Sequence, residues 1–133
     1  MIGLDLHKSP SILIPAYDDS KGVTAAFNLN LLRRINRELG ANFDLEAFQH
    51  EAIWNDAQSR IEMHLRSRKA QSVSIDSRKI DFCEGETIHT ENSRKFDLSR
   101  FLLLAESTGW GLSKTWMDPE NYFAMVMLDA SGS

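Results

Sequence analysis

The sequence predicts an α+β fold with an antiparallel sheet in the middle of the chain and short strands at both ends. Apolar and polar residues alternate from about 53 to 93, which is typical of half-buried antiparallel strands. Residues 24–39 and 98–107 instead repeat apolar side chains at helical spacing. Short apolar runs predict three more strands, at 2–6, 112–117 and 122–128.

Composition limits the class of protein before any motif is considered. The chain has 133 residues, of which 42% are hydrophobic and 26% charged, as expected for one globular domain. A net charge of -4 without a basic cluster argues against nucleic-acid and membrane partners. The single Cys83 excludes an intramolecular disulfide and, with no visible signal peptide, predicts a cytoplasmic protein.

The N-terminal part of the chain combines an apolar strand with a turn-rich connection. The strand at 2–6 resembles a parallel strand that runs into its C-terminal loop, so we expect the natural domain to begin upstream. Proline, serine and glycine mark residues 8–23 as a connection with a short helix at 11–16. Tyr17, which precedes two acids, is either a loop cap or a binding group.

The clearest helix is predicted at residues 24–39. Thr24 fits its N-cap and Gly40 its C-cap. The apolar stripe that we expect this helix to bury comprises Phe27, Leu31, Leu32, Ile35 and Leu39. A second helix is predicted at about 44–52, with Asp44 as its N-cap.

The alternating region predicts four antiparallel strands, of which the first three form a meander. The apolar residues of these three are Ile61, Met63 and Leu65, then Val73 and Ile75, then Ile80 and Phe82. Met63 is by default a core-filling side chain, because methionine packs into irregular gaps. The fourth strand, at about 86–93, is far more polar than the others.

In this polar strand, strict alternation places Thr87, His89 and Glu91 on one face. Ser93 lies two residues further on, so Glu91 and Ser93 should point the same way. A carboxylate beside a hydroxyl can accept one hydrogen bond from a small ligand and exchange another with it. The alternative is a solvated strand end followed by a turn.

The C-terminal part predicts a helix and two strands. Asp97 fits the N-cap of the helix at 98–107, and Gly109 follows its end. The inward-facing side chains of that helix would be Leu98, Phe101, Leu102 and Ala105. Residues 118–121 are typical of a turn, and we expect the tail from Ala130 to be frayed.

Several kinds of site find no support in the sequence. The four histidines show no close pairing with cysteine or acids at metal-ligand spacing, so no metal site is predicted. Neither of the usual Gly-rich phosphate motifs occurs. Acidic neighbours disfavour a nucleophilic Cys83, and His89 is better explained as a structural residue than as a catalytic base. The catalytic residues stay unidentified.

Several separated segments resemble the histidine-specific S-adenosylmethionine (SAM)-dependent methyltransferase family. They occur in the family's order and run nearly end to end, which makes the resemblance specific. The segments are Tyr17-Asp18-Asp19, Gly22-Val23-Thr24-Ala25-Ala26-Phe27-Asn28, Asn36-Arg37-Glu38-Leu39, Trp54-Asn55, Arg60-Ile61-Glu62-Met63, Thr90-Glu91-Asn92-Ser93 with Lys95-Phe96, and the region from Trp116 to Pro119. The best-known member makes trimethylhistidine (hercynine) from L-histidine in ergothioneine biosynthesis.

The resemblance implies an α/β enzyme of which this chain is the C-terminal part. Residues 1–7 would be a core strand of a Rossmann-like class I methyltransferase, and 8–95 a substrate-binding insertion built on an antiparallel sheet. Residues 96–133 would return to the core as a helix and two strands, and the last strand, 122–128, would lie antiparallel between 2–6 and 112–117. The missing N-terminal part would bind most of the SAM, so we expect no cofactor-binding residue here and no activity of the isolated chain.

The resemblance also assigns substrate-binding residues. Tyr17 would bind the carboxylate of L-histidine, and Met63 would form an apolar wall. Glu91 and Ser93, with Asn92 between them, would hold the imidazole: Glu91 accepts from its N–H, and Ser93 donates to its bare nitrogen. The reaction is displacement at the sulfonium methyl by a deprotonated α-amine, which depends mainly on positioning.

Two other functions stay open at this point. The chain could be a stand-alone noncatalytic module that binds an amino acid or a partner through the same pocket. It could also belong to a methyltransferase for another amino acid. The expected partners are L-histidine and the missing N-terminal half, or a second copy bound through an exposed sheet edge.

Overall fold

The computed structural model describes residues 1–130 of the chain. In this part the helices are α1 (Pro10–Tyr17), α2 (Val23–Leu39) and α3 (Leu98–Ser107). The strands are β1 (Ile2–Asp5), β2 (Phe48–Asn55), β3 (Arg60–Ser67), β4 (Gln71–Ile75), β5 (Arg78–Phe82), β6 (Thr87–Arg94), β7 (Trp110–Met117) and β8 (Phe123–Ala130). Helices beside antiparallel sheets confirm the predicted α+β class.

The two ends of the chain form one sheet with the strand order β1-β8-β7, here called the terminal sheet. Both pairings are antiparallel, with Ile2 opposite Val126 and Met117 opposite Ala124. The expected position of the last strand, between the other two, is confirmed. A small core forms where Leu4, Leu6, Ala124 and Val126 are buried against α3.

The middle of the chain forms the central sheet, with the order β2-β3-β6, and a separate hairpin of β4 and β5. The predicted meander is therefore wrong, because β3 pairs with β6 and not with β4. Alternation identifies strands but not their partners. The hairpin contributes Val73 and Phe82 to a core that also contains Phe43, Phe48 and Leu65.

The predicted helix at 44–52 is also wrong. A single 3-10 turn, Leu45–Ala47, follows Asp44, whose side chain accepts a hydrogen bond from the Glu46 N–H. Strand β2 then begins, with every second side chain buried at Phe48, His50 and Ala52. The period-two burial of these residues overrides the capping signal, because a strand buries all three on one face.

Helix α2 forms as predicted, and Gly40 ends it in the left-handed conformation with φ 61°. Its N-terminal cap differs, since Asp19 and not Thr24 accepts hydrogen bonds from the first N–H groups. The expected apolar stripe is buried only in part: Leu32 is buried and Ile35 packs against the core, but Phe27 is 66% exposed and Asn28 is buried instead. Hydrogen bonds of the Asn28 side chain select this face.

Strand β6 contains a β-bulge at Thr90. Met63 pairs with Glu91, but the next residue of β3, His64, pairs with His89, so Thr90 is left without a partner. An extra residue reverses the direction of the side chains on one side of the bulge. The prediction that His89 and Glu91 share a face is therefore wrong, because Glu91 lies beside Met63 and His89 beside His64.

Helix α3 begins as predicted, with the Asp97 side chain accepting from the Arg100 N–H. Ala105 is buried, whereas Leu103 and Leu104 are 66% and 63% exposed. Ala130 is the last residue of β8, and the rest of the expected frayed tail, residues 131–133, lies outside the described residues. No helix within residues 1–130 is long and apolar enough to cross a membrane.

Candidate functional site

Three of the five predicted site residues line a cavity of about 320 Å³ between helices α1 and α2 and strands β3 and β6. Tyr17 ends α1, Met63 lies in the middle of β3, and Glu91 follows the bulge in β6. The cavity is within the size range of small-molecule sites. Its lining comprises Ala16, Tyr17, Val23, Thr24, Phe27, Met63 and Glu91.

Ser93 joins this site through a buried network of hydrogen bonds. Its Oγ lies 2.7 Å from Tyr17 Oη, and Lys95 Nζ donates to both oxygens, at 2.8 Å and 2.7 Å respectively. The Lys95 ammonium also lies 4.5 Å from the centroid of the Tyr17 ring. The sequence assigns no role to Lys95, because it offers no signal that a lysine two residues beyond Ser93 is buried.

The charge of Lys95 is matched by Asp5 at the end of β1. Lys95 Nζ lies 2.6 Å from Asp5 Oδ2, and Lys8 Nζ lies 2.7 Å from Oδ1 of the same carboxylate. Burial alone would raise the pKa of Asp5, but the hydrogen bonds from the two lysines outweigh it and lower that pKa. An ionised Asp5 thus connects the terminal sheet to the network around Tyr17.

The backbone of Tyr17 is held from the opposite side by a buried histidine. His50 Nε2 donates to the Tyr17 carbonyl at 2.7 Å, so His50 Nδ1 is free to accept from Asn28 Nδ2 at 3.0 Å. Asn28 also donates to the carbonyl of His64 at 3.1 Å. This chain of bonds fixes the end of α1 against β2 and β3.

Glu91 lines a second, smaller cavity of about 190 Å³, which it shares with Phe27, Asn28 and Arg34 of α2. Glu91 therefore borders both an apolar and a more polar space. Asn92 lies elsewhere: it is exposed, and its Oδ1 accepts from His89 Nε2 at 2.9 Å. Of the five predicted substrate-binding residues, Asn92 and Ser93 line neither cavity within the described part of the chain, and only Ser93 is hydrogen-bonded to a residue that does, Tyr17.

A group of three potential metal ligands is found on the other face of the central sheet. Glu62, His64 and His89 place one ligand atom each within 4.8 Å of one another. Sequence spacing could not reveal this group, because His64 and His89 become neighbours only across strands. Arg60, Asn55 and His64 donate to the Glu62 carboxylate and lower its pKa to about 2. Since protein donors occupy both carboxylate oxygens, we assign no metal here.

The described residues do not fit the Gly-rich cofactor turn of a Rossmann-like fold. Such a turn leads from a strand into a helix. Within residues 1–130 the two connections that do so, 6–9 and 95–97, contain no glycine. A further cavity, about 500 Å³, is an apolar groove between α3 and the terminal sheet. Its lining comprises Met1, Ile2, Phe101, Leu104, Ala105, Thr108, Trp110 and Leu128.

Comparison with known proteins assigns the family. Residues 1–130 match the family described as histidine-specific methyltransferase, SAM-dependent. The chain is 46% identical over 131 residues to the histidine N-alpha-methyltransferase of Mycolicibacterium smegmatis, and 42% identical over 129 residues to that of Mycobacterium tuberculosis. Each match covers 96% of this chain, but the chain spans only 40% of the length of either relative. The chain belongs to the family of SAM-dependent, histidine-specific methyltransferases.

Proposed function

We propose that this chain is the C-terminal part of a SAM-dependent methyltransferase that methylates the α-amine of L-histidine to trimethylhistidine, as in ergothioneine biosynthesis. One observation carries the proposal. Tyr17, Met63 and Glu91 come from three separate elements yet line one cavity, and Ser93 is hydrogen-bonded to Tyr17. The printed names of the two relatives support histidine as the substrate.

In this proposal the described residues bind and orient the amino acid. Tyr17 donates to its carboxylate, and Met63 packs against the apolar part of the side chain. Glu91 accepts from the imidazole N–H, while Ser93 donates to the bare ring nitrogen. Fixing both ends of the ligand holds its α-amine in one place, which is the main requirement for an in-line displacement. The position of Asn92 assigns it at most an indirect role, through His89.

The cofactor belongs mainly to the rest of the enzyme in this proposal. SAM supplies the methyl group when it is bound, and the residues described here contribute the amino-acid side of the pocket. Residues 1–7 and 96–133 would extend a Rossmann-like core, and 8–95 would form the substrate-binding insertion. The apolar groove beside α3 supports this division, because such a surface is typical of a buried contact. The lone, exposed Cys83 is compatible with a reducing cytoplasm.

The test is a complete enzyme in which this chain replaces the matching C-terminal part of the Mycolicibacterium smegmatis relative. Methyl transfer from SAM to L-histidine is followed by mass spectrometry, beside the 133-residue chain alone. We expect trimethylhistidine from the complete enzyme and no product from the chain alone. An enzyme that folds and binds SAM but leaves histidine unmethylated would contradict the proposal and favour a noncatalytic binding module. Methylation of a different amino acid in a substrate panel would contradict histidine specificity alone.

A further inference from the structure

Lys95 is a lysine whose side chain is fully buried at the edge of the proposed pocket. Its ammonium group donates to Asp5 Oδ2 at 2.6 Å, Tyr17 Oη at 2.7 Å and Ser93 Oγ at 2.8 Å. A lysine ammonium has three hydrogens and no lone pair. All three hydrogens are therefore used within the protein, and Lys95 has none left for a ligand.

The ammonium determines what the two hydroxyl groups can do. Because Lys95 can only donate, Tyr17 Oη and Ser93 Oγ must each use a lone pair to accept from it. The 2.7 Å contact between these oxygens uses the O–H of one hydroxyl, so one O–H stays free in the ligand-free protein. A ligand with two acceptor atoms can engage both hydrogens by replacing the contact between Tyr17 and Ser93.

We propose that Lys95 is a positioning residue that makes both Tyr17 and Ser93 hydrogen-bond donors toward the bound amino acid. The inference rests on the proposed function and specifies the ligand more closely. Together with the acceptor Glu91, the pocket presents two donors and one acceptor. This pattern matches an amino acid with a carboxylate and a neutral imidazole, and it leaves a polar group unpaired with phenylalanine or tryptophan.

The chain offers a matched control for the charge of Lys95. Lys8 binds the other oxygen of the same Asp5 carboxylate at 2.7 Å and also donates to the Tyr122 carbonyl. Lys8 thus shares the ion pair of Lys95 without its bonds to Tyr17 and Ser93. Comparing the two lysines separates an effect on the hydroxyl groups from a loss of charge beside Asp5.

The experiment measures L-histidine affinity by calorimetry, for the 133-residue chain and for the complete enzyme described above. The variants are Lys95→Met, Lys8→Met, the pair Tyr17→Phe with Ser93→Ala, and that pair combined with Lys95→Met. We expect Lys95→Met to weaken histidine binding about tenfold and Lys8→Met less than about twofold. In the protein that already carries Tyr17→Phe and Ser93→Ala, Lys95→Met should weaken histidine binding by less than about a further twofold, because the two hydroxyl groups through which Lys95 acts are absent. SAM affinity of the complete enzyme should not change.

Equal losses of histidine affinity in Lys95→Met and Lys8→Met would overturn the inference. So would a loss from Lys95→Met that stays the same when Tyr17→Phe and Ser93→Ala are already present. If the Lys95→Met protein does not fold, that substitution is combined with Asp5→Asn, which removes the negative charge that Lys95 balanced, and the series is repeated.

An NMR spectrum of the ligand-free chain with ¹⁵N-labelled lysine tests this inference separately from the proposed function. We expect one ammonium signal that exchanges slowly with solvent, disappears in Lys95→Met, and shifts in Tyr17→Phe and Ser93→Ala. If neither the wild-type 133-residue chain nor the wild-type complete enzyme binds histidine, the proposed function is wrong. The assigned role of Lys95 is then wrong too, whatever the spectrum shows. If histidine binds but the Lys95 signal does not shift in Tyr17→Phe or in Ser93→Ala, the inference alone is overturned.

Discussion

The central and terminal sheets differ in how completely the described residues bury them. The central sheet, with α2 and the β4–β5 hairpin, encloses a core of Leu32, Phe43, Phe48, Leu65, Val73 and Phe82. The terminal sheet buries four small or medium side chains and leaves Ile2, Trp110 and Leu112 between 42% and 47% exposed. The site residues lie on or beside the better-buried sheet. The proposed amino-acid pocket therefore lies on the better-buried part of the chain, whereas the terminal sheet presents a surface suited to further contacts.

The largest expected effect tests that contrast directly. Phe48 is 2% exposed and makes edge-to-face contacts with Phe43 and Phe82. Phe48→Ala should lower the free energy of unfolding by about 3–5 kcal/mol, because it removes a large side chain and leaves a cavity. The control, Leu104→Ala on α3, should change it by less than about 0.5 kcal/mol. Urea denaturation measures both, and comparable losses would show that the two regions are equally packed.

The second effect concerns binding at the better-buried sheet, in the complete enzyme. Glu91→Ala should weaken L-histidine binding about ten- to a hundredfold and leave SAM binding unchanged, because it removes a charge-assisted hydrogen bond to the imidazole alone. Ser93→Ala should act in the same direction but less, since its hydroxyl is neutral. Tyr17→Phe should weaken every amino acid alike, because all carry a carboxylate. If Glu91→Ala leaves the ratio of histidine to phenylalanine turnover unchanged, Glu91 does not read the imidazole.

A smaller effect is expected at the terminal sheet. The apolar groove beside α3 should make the isolated chain self-associate at high concentration, as exposed apolar patches do. Leu104→Glu should weaken this association about tenfold, because it places a charge in the groove. Leu39→Glu on α2, at a residue of similar exposure, is the control. Sedimentation equilibrium compares the three proteins, and an equal response to both substitutions would contradict a specific contact at α3.

The smallest effect is a pH dependence in the scaffold of the pocket. Hydrogen bonds from the Thr24 and Val23 N–H groups lower the pKa of Asp19 from 3.8 to about 2. Because the folded pKa is below the unfolded one, ionised Asp19 stabilises the protein above about pH 4, and this contribution is lost as the pH falls toward 2. Asp19→Asn should therefore reduce the fall in thermal midpoint between pH 5 and 2. Asp18→Asn, which changes net charge equally, is the control and should leave that fall nearly as large as in wild type.

Most of the described strands could be predicted because alternation and short apolar runs identify them, although β2 was predicted as a helix, and the order of the terminal sheet was implied by the family resemblance. The buried face of α2 could not. The apolar pattern pointed to Phe27 and Leu31, but the hydrogen bonds of Asn28 to His50 and to the backbone of β3 turn a polar residue inward. A buried amide is indistinguishable from a solvated one until its partners, distant in sequence, are known.

The site was partly predictable for a similar reason. Tyr17, Met63, Glu91 and Ser93 were identified by resemblance, and the structure places three of them around one cavity with Ser93 bonded to the first. Lys95 was missed, because lysine is almost never fully buried and its partners, Asp5 and Tyr17, lie more than 70 residues away.

Because of the bulge at Thr90, the face on which Glu91 lies depends on the number of residues between His89 and Glu91. A strand has two faces, so adding or removing one residue exchanges them for everything beyond that point. Deleting Thr90 would restore regular pairing with β3 and turn either Glu91 and Ser93 or the preceding half of β6 to the opposite face. Such a deletion would separate the Glu91 carboxylate from its present neighbours without changing the residue itself. In this strand, the spacing between residues is as much a part of the recognition chemistry as their identity.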